Sequence, residues 1–330
     1  MIKLKEYTKR NIHQTRLLVI MAAWMIFMAI TKFDKFYTFA NFKTMASQFP
    51  EFGIMALGGM LCMMTGGIDL SCVGVANFTS VVCALLMTKL GGESGVLPVA
   101  TFPLFVLIPI VVGAAVGCFN GFLVSKVRIP PILATLGTNE LLTGICIVLT
   151  GGGAYSSFPK EMTNVIVSDI GSVLPVRLVV FVIVAVAIWY MLEKTTYGTK
   201  LRLLGTSEKV AKYSGMKTNL MLIRTYMTSG ICAALSGLLM LGTYASARAD
   251  YGSQYTLQTI LIIVLGGVSP NGGKGKISGV ILAIFVLKML ESGINRFQNI
   301  SSYYISLIWG GVLILAMVMD YFTSDKRTRG

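Results

Sequence analysis

The 330-residue chain is 55% hydrophobic and only 13% charged, with a formal net charge of +14 and a mean hydropathy of +0.74. A soluble domain carries about 25% charged residues, so the composition excludes one and defines an integral membrane protein. Apolar residues run on in blocks such as LVVFVIVAVAIWYML, unlike the alternating segments of about ten residues in an outer-membrane barrel, and the expected fold class is all-α, a polytopic membrane protein of about ten transmembrane helices.

The chain opens with a basic arm, residues 1–16, in which His13 reads as a solvated residue. The apolar stretch 14–31 is followed at once by Lys32 and by no small-residue cleavage site, so it reads as a retained first helix. Further spans are expected near 50–65, 70–88, 98–124, 131–150, 175–192, 220–247, 254–268, 277–291 and 302–320. Together they make a transmembrane domain over 17–322, interrupted by a polar segment at 193–219 and followed by a short tail at 323–330. With the N-terminus inside, 19 of the 28 Lys and Arg fall on the cytoplasmic side, whereas most acids, including Glu51, Glu93 and Asp169, fall outside. The positive-inside rule therefore puts both termini in the cytoplasm. It also accounts for the net charge without nucleic acid, because the basic residues are confined to loops and ends and make no basic face.

The second span ends in TGGIDLS (Thr65–Ser71), the first of two places where Gly and polar residues interrupt apolar sequence at membrane depth; the other is LGGVSPNGGKGKIS (Leu265–Ser278). Non-helical backbone there must be buried in protein or line water. Both breaks face one side in this topology, which an inverted repeat does not produce. The fourth span carries Gly113, Gly117 and Gly121, and the seventh Gly230, Ala233, Ala234 and Gly237, stripes of small residues that let a neighbouring helix come close. All six cysteines lie in apolar segments with no CxxC pair and read as small core residues. The second break fails the GxxxxGK[ST] spacing at both Gly273-Lys274 and Gly275-Lys276. No nucleophile elbow or HExxH helix occurs either, so the chain does not read as an enzyme.

Polar residues at membrane depth are few. Asp69 either caps the third helix, with Ser71 assisting, or lines a pathway. Asn77 either meets a passing hydroxyl or ties two helices together. In TLGTNELLTG of the fifth span, Thr135 and Asn139 share a face with Thr138 nearby. Glu140, read as the deepest carboxylate, either pairs with a distant cation or faces a water-filled cavity. Arg248 and Asp250 suggest an ion pair at a helix end, close to Gln258. The tentative substrate path is thus Asp69, Asn77, Thr138, Asn139, Glu140 and Gln258. The longest link, Glu193–Leu220, is too polar for the bilayer. Its Leu201, Leu204, Val210 and Tyr213 are spaced for one or two short amphipathic helices, which makes it either a docking segment or a solvated loop.

GGIDLS (Gly66–Ser71), TLGT (Thr135–Thr138), YGTKLRLLGTSEKVAKYSG (Tyr197–Gly215) and VLGGVSPNGGKGKISG (Val264–Gly279) resemble, in order and spacing, the permease subunits of bacterial ATP-binding-cassette (ABC) importers for simple sugars, the group that includes ribose, xylose, galactose and autoinducer-2 permeases. The resemblance covers almost the whole chain. It implies a permease of the bacterial cytoplasmic (inner) membrane, paired with a second permease copy as a homodimer or related heterodimer. It further implies cytoplasmic ATP-binding subunits that use the ATP, an extracytoplasmic sugar-binding protein docking on outer loops that include Gly151–Val176, and no cofactor on this chain. It also implies that a coupling helix within Gly205–Gly215 seats in the ATPase, with Gly205, Ser207, Glu208, Lys212, Ser214 and Gly215 as coupling residues. The family's usual Gly-Asn is Thr206-Ser207 here and a common Ala is Val210, departures that also occur in the autoinducer-2 branch and bear on the choice of ATPase. The rival readings are autoinducer-2 or a related polyol as cargo, a proton-coupled carrier using Glu140 or Asp69, and a membrane scaffold or receptor.

Overall fold

The computed structural model describes residues 12–92 and 96–297 and the six positions 304, 307, 308, 310, 311 and 314. Residues 1–11 of the basic arm, Glu93, most of the expected span 302–320 and the tail 323–330 lie outside the described residues. Among those described, seven helices are long and apolar enough to cross a membrane. The chain is thus a mostly helical, polytopic membrane protein. The seven correspond to α1 (Ile12–Thr31), α4 (Cys72–Gly91), α5 (Phe102–Phe122, continued by a π-helical turn Leu123–Val127), α6 (Pro131–Thr150), α8 (Val176–Glu193), α11 (Thr218–Tyr244) and α13 (Ile277–Ile294), with the short helices α2 (Phe33–Phe36), α7 (Glu161–Val167), α9 (Thr196–Thr206) and α10 (Glu208–Tyr213) between them.

Two expected spans take other forms. The span near 50–65 is the C-terminal part of α3 (Phe39–Met64), which begins where Thr38 accepts a hydrogen bond from the Asn41 N–H at 3.2 Å. At 26 residues it is about 39 Å long, but Lys43, Ser47, Gln48 and Glu51 dilute its hydropathy. The span near 254–268 is α12 (Tyr255–Leu265), 11 residues or about 16 Å, half of a hydrocarbon core; beyond it the second glycine break carries the chain onward. One small departure from an all-α chain is an antiparallel hairpin of β1 (Asp169–Ile170) and β2 (Leu174–Pro175), turned through Gly171 and Ser172 at φ of 61° and 62°.

The centre of the bundle is α11, 17 of whose 27 residues are buried. Both expected small-residue stripes meet there. A Cβ at Gly117 would lie 2.3 Å from the Tyr226 carbonyl oxygen, one at Gly230 would lie 2.2 Å from the Gly113 oxygen, and one at Gly237 would lie 2.1 Å from the Ala76 oxygen. These helices therefore touch backbone to backbone. All six cysteines are free thiols, five of them buried.

The loops gather at two ends. At one, here the basic end, Gln14 donates to Ser278 Oγ at 2.6 Å, Arg128 pairs with Glu208 at 2.6 Å, and the two glycine breaks touch. At the other, Tyr155 bridges Ala247, Thr88 Oγ1 donates to the Ser157 carbonyl at 2.8 Å, and Lys43 ties down the hairpin through Asp169 (2.6 Å) and the Ser172 carbonyl (2.9 Å).

Candidate functional site

The start of α4 is held from outside its own helix. Leading amides of a helix have no partner within it, and here they are met by side chains. The Leu70 N–H donates to Thr135 Oγ1 (3.0 Å), the Ser71 N–H to Asp69 Oδ1 (3.0 Å) and the Gly74 N–H to Asn139 Oδ1 (2.9 Å). The polar group of α6 therefore caps α4 across a helix contact.

From Asp69 a buried relay runs through the bundle. Oδ1 also accepts from Ser71 Oγ (2.6 Å), and Oδ2 accepts from Ser229 Oγ of α11 (2.7 Å). Ser71 Oγ accepts from Asn120 Nδ2 (2.8 Å), and Asn120 Oδ1 accepts from Thr138 Oγ1 (2.6 Å). Asp69 has no cation within ion-pair distance among the described residues; its charge is met by hydroxyl and amide donors.

Of the six residues expected to line a path, Asp69, Asn77, Thr138 and Gln258 are buried within this chain and Asn139 partly so. Asn77 Nδ2 donates to the carbonyls of Ala249 (2.8 Å) and Tyr251 (3.0 Å), pinning the loop after α11. Glu140 alone is exposed. It sits halfway along α6, accepts from Asn139 Nδ2 at 3.3 Å, and is flanked by Gly137 and Gly144, where a Cβ would meet nothing within 4 Å.

Glu140 is not the deepest carboxylate; Glu51 of α3 is, at 2% exposure. Its Oε1 accepts from Thr243 Oγ1 and lies 3.5 Å from Arg177 Nη1, and its Oε2 accepts from Tyr255 Oη at 3.1 Å. Arg177 also donates to Thr243 Oγ1 at 2.5 Å. One buried carboxylate thereby clamps α3, α8, α11 and α12. Sequence reasoning assigned Glu51 to an outer loop and passed over Asn120 and Ser229. The position of Asn120 beside Gly121, within the glycine stripe, was the available signal. The expected Arg248–Asp250 ion pair is present at 2.8 Å, with both side chains about half exposed.

At the basic end three motifs meet. The Gly273 N–H donates to the Met64 carbonyl at 2.9 Å. A Cβ at Gly205 would lie 1.9 Å from that same oxygen, and one at Gly272, itself at φ +83°, would lie 2.6 Å from the Gly205 oxygen and 2.8 Å from the Gly66 nitrogen. Both breaks and the end of α9 thus share one junction. Beside it, Tyr197 Oη and Thr225 Oγ1 are 2.9 Å apart, and burial pushes the Tyr197 phenol up, so it stays neutral.

From the junction α10 projects. Ser207 caps it, accepting from the Val210 N–H at 3.3 Å, and it ends at Ser214 and Gly215, the latter at φ +78°. Ala211 is fully buried, whereas Val210 and Tyr213 are 55% and 91% exposed. Of the expected coupling residues, Glu208 pairs with Arg128 at 2.6 Å with both side chains about half exposed, and Lys212 is exposed.

The polytopic helical bundle, with two interlocked glycine breaks and an exposed helix beside their junction, is matched by a family of membrane permeases. The family of branched-chain amino acid transport system permease components matches residues 41–317, and the chain belongs to that family. It is 32% identical over 317 residues, 95% of each chain, to the ribose import permease protein of Escherichia coli (strain K12). It is 31% identical over 278 residues, 82% of this chain and 81% of the relative, to the autoinducer 2 import system permease protein of the same strain. No solved structure matches. The chain is a multi-pass membrane permease, the transport subunit of an import system.

Proposed function

We propose that this permease forms the translocation path for a simple sugar, a pentose or hexose, in an ABC importer of the bacterial cytoplasmic membrane. It works with cytoplasmic ATP-binding subunits that consume the ATP, an extracytoplasmic sugar-binding protein and a second permease copy, identical or related. The basic end faces the cytoplasm. In support, the segments 126–128, 193–224 and 274–276 carry eleven Lys and Arg against Glu193 and Glu208 alone.

The observation that carries the reading is α10. A short helix anchored by Ala211, Glu208 and the glycine junction, yet presenting Val210 and Tyr213 to solvent, suits insertion into a groove of a partner that must push on the bundle. Glu140 supports a path along the exposed face of α6, because a carboxylate at the middle of a span costs about 2.5–3.5 kcal/mol against lipid and is relieved by water or a second permease. Neutral polyhydroxylated cargo needs no fixed charge along its route, and weak sites favour release. The relative that imports autoinducer 2 supports that molecule or a related polyol as the second reading.

The test is a mild-detergent pull-down of the tagged chain from its own cells, with uptake of labelled D-ribose measured in parallel. Recovery of a P-loop ATPase with the wild type but not with the Val210→Ser/Tyr213→Ser double variant is the expected result. Repeated recovery of the chain alone, with uptake abolished by collapsing the proton gradient while ATP is maintained, identifies a stand-alone carrier.

A further inference from the structure

The corner between α5 and α6 departs from the lowest-energy choice in three ways. α5 ends in the π-helical turn Leu123–Val127, a form that is rare in helices and frequent at functional sites. Within that turn Ser125 is fully buried, and its hydroxyl has no hydrogen-bond partner among the described residues, a destabilising arrangement that an alanine avoids. Arg128 then closes the helix at φ 67° and ψ 27°, and the N–H groups of Arg128 and Ile129 both donate to the Leu123 carbonyl, the latter at 3.2 Å. This left-handed closing position usually falls to glycine, because a Cβ there is unfavourable.

The arginine side chain kept at that position reaches Glu208, the first residue of α10, at 2.6 Å. Both side chains are about half exposed, and such pairs contribute little to stability, so for stability alone a glycine would serve better at 128. What the arginine adds is a connection. Among the described residues no other hydrogen bond or ion pair joins α10 to this corner. Three residues further on, α6 starts at Pro131, whose ring lies 3.2 Å from where a Cβ on Gly67 of the first glycine break would stand. One turn later Thr135, and then Asn139, receive the leading amides of α4. A shift of the α6 entry is therefore felt by the first break and by the start of α4.

We propose that Arg128 is a positioning residue that carries movement of α10 into α6, the 123–128 corner bending as it does so. That an ATP-binding subunit supplies the movement rests on the importer reading above; the tie between α10 and α6 rests on its own geometry.

The tie is tested on the full chain in lipid nanodiscs by melting and by hydrogen exchange. Arg128→Gly should melt at or above the wild-type temperature, yet exchange about two- to fivefold faster at the amides of residues 132–138 and of Leu70 and Gly74, the change that loss of a weak ion pair allows. Glu208→Gln, which leaves the backbone at 128 untouched, should speed the same amides. Arg128→Lys, which keeps the charge and most of the reach, should not. Unchanged exchange in both pair-breaking variants, or faster exchange that merely follows a lowered melting temperature, overturns the proposal. In cells, both variants should still recover the ATP-binding subunit in the pull-down, while uptake of labelled D-ribose falls about tenfold, the size of an ordinary coupling between sites, and returns in Arg128→Lys. Recovery of the subunit with wild-type uptake in both variants overturns the transmission while the importer reading stands. A wild-type chain that recovers no such subunit removes the importer reading, and exchange alone then decides the tie.

Discussion

The Glu51 cluster allows a quantitative test of what holds the bundle together. Replacing Arg177 by Ala leaves a carboxylate at 2% exposure with only Thr243 and Tyr255 as partners. Breaking one side of a buried ion pair costs about 3–5 kcal/mol. Glu51→Ala should cost a similar amount, because it strands Arg177, whose Nε already lacks a partner. In the double variant no uncompensated charge remains, so its loss should fall short of the sum of the singles by about 1–3 kcal/mol. The assay is equilibrium unfolding of the four proteins in mixed micelles, read as a double-mutant cycle. Strictly additive losses would refute the view that the two charges act as a unit across α3 and α8.

Gly205→Ala places a methyl carbon 1.9 Å from the Met64 carbonyl oxygen; overpacking of this kind costs about 1–3 kcal/mol, and both melting temperature and ATP-driven uptake should fall, wild-type values in both arguing against the junction. Asp69→Asn retains one acceptor oxygen but turns an amide toward Ser71 or Ser229, so a loss of about 1–2 kcal/mol is expected; unchanged melting with abolished uptake would assign Asp69 a transport role instead. Glu140→Leu should melt no lower than wild type yet lower sugar uptake several-fold, and undiminished uptake would remove the α6 face from the path.

What could be read from the chain alone followed local rules. Runs of apolar residues located the spans, and the four-residue glycine spacing on α5 announced the close approach to α11. What could not be read needed contacts distant in sequence. Glu51 follows Pro50 at the expected start of a span, where an acidic residue looks like a loop; only the continuation of α3 back to Phe39 carries it inside. Asn139 looked like a pathway group because polar residues in a span ask for partners, and both it and Thr135 on the same face find theirs in amides 65 residues away. Glu208 was read as part of a docking surface; what the sequence did not offer is its ion-pair partner Arg128, 80 residues earlier. The amphipathic spacing of Val210 and Tyr213 was legible, yet not which side they present, since that depends on Ala211 packing inward.

The junction of Gly66, Gly205, Gly272 and Gly273 bears on how such permeases can be recombined. Three segments far apart in the chain are machined to one tolerance, and a side chain at Gly205 or Gly272 is felt by the other two. A chimaera that takes its α9–α10 segment from a relative inherits a surface shaped for that relative's breaks. Exchange of ATPase specificity by grafting should therefore succeed when the segments around 65–71, 196–215 and 265–278 travel as a set, and fail in assembly when one travels alone.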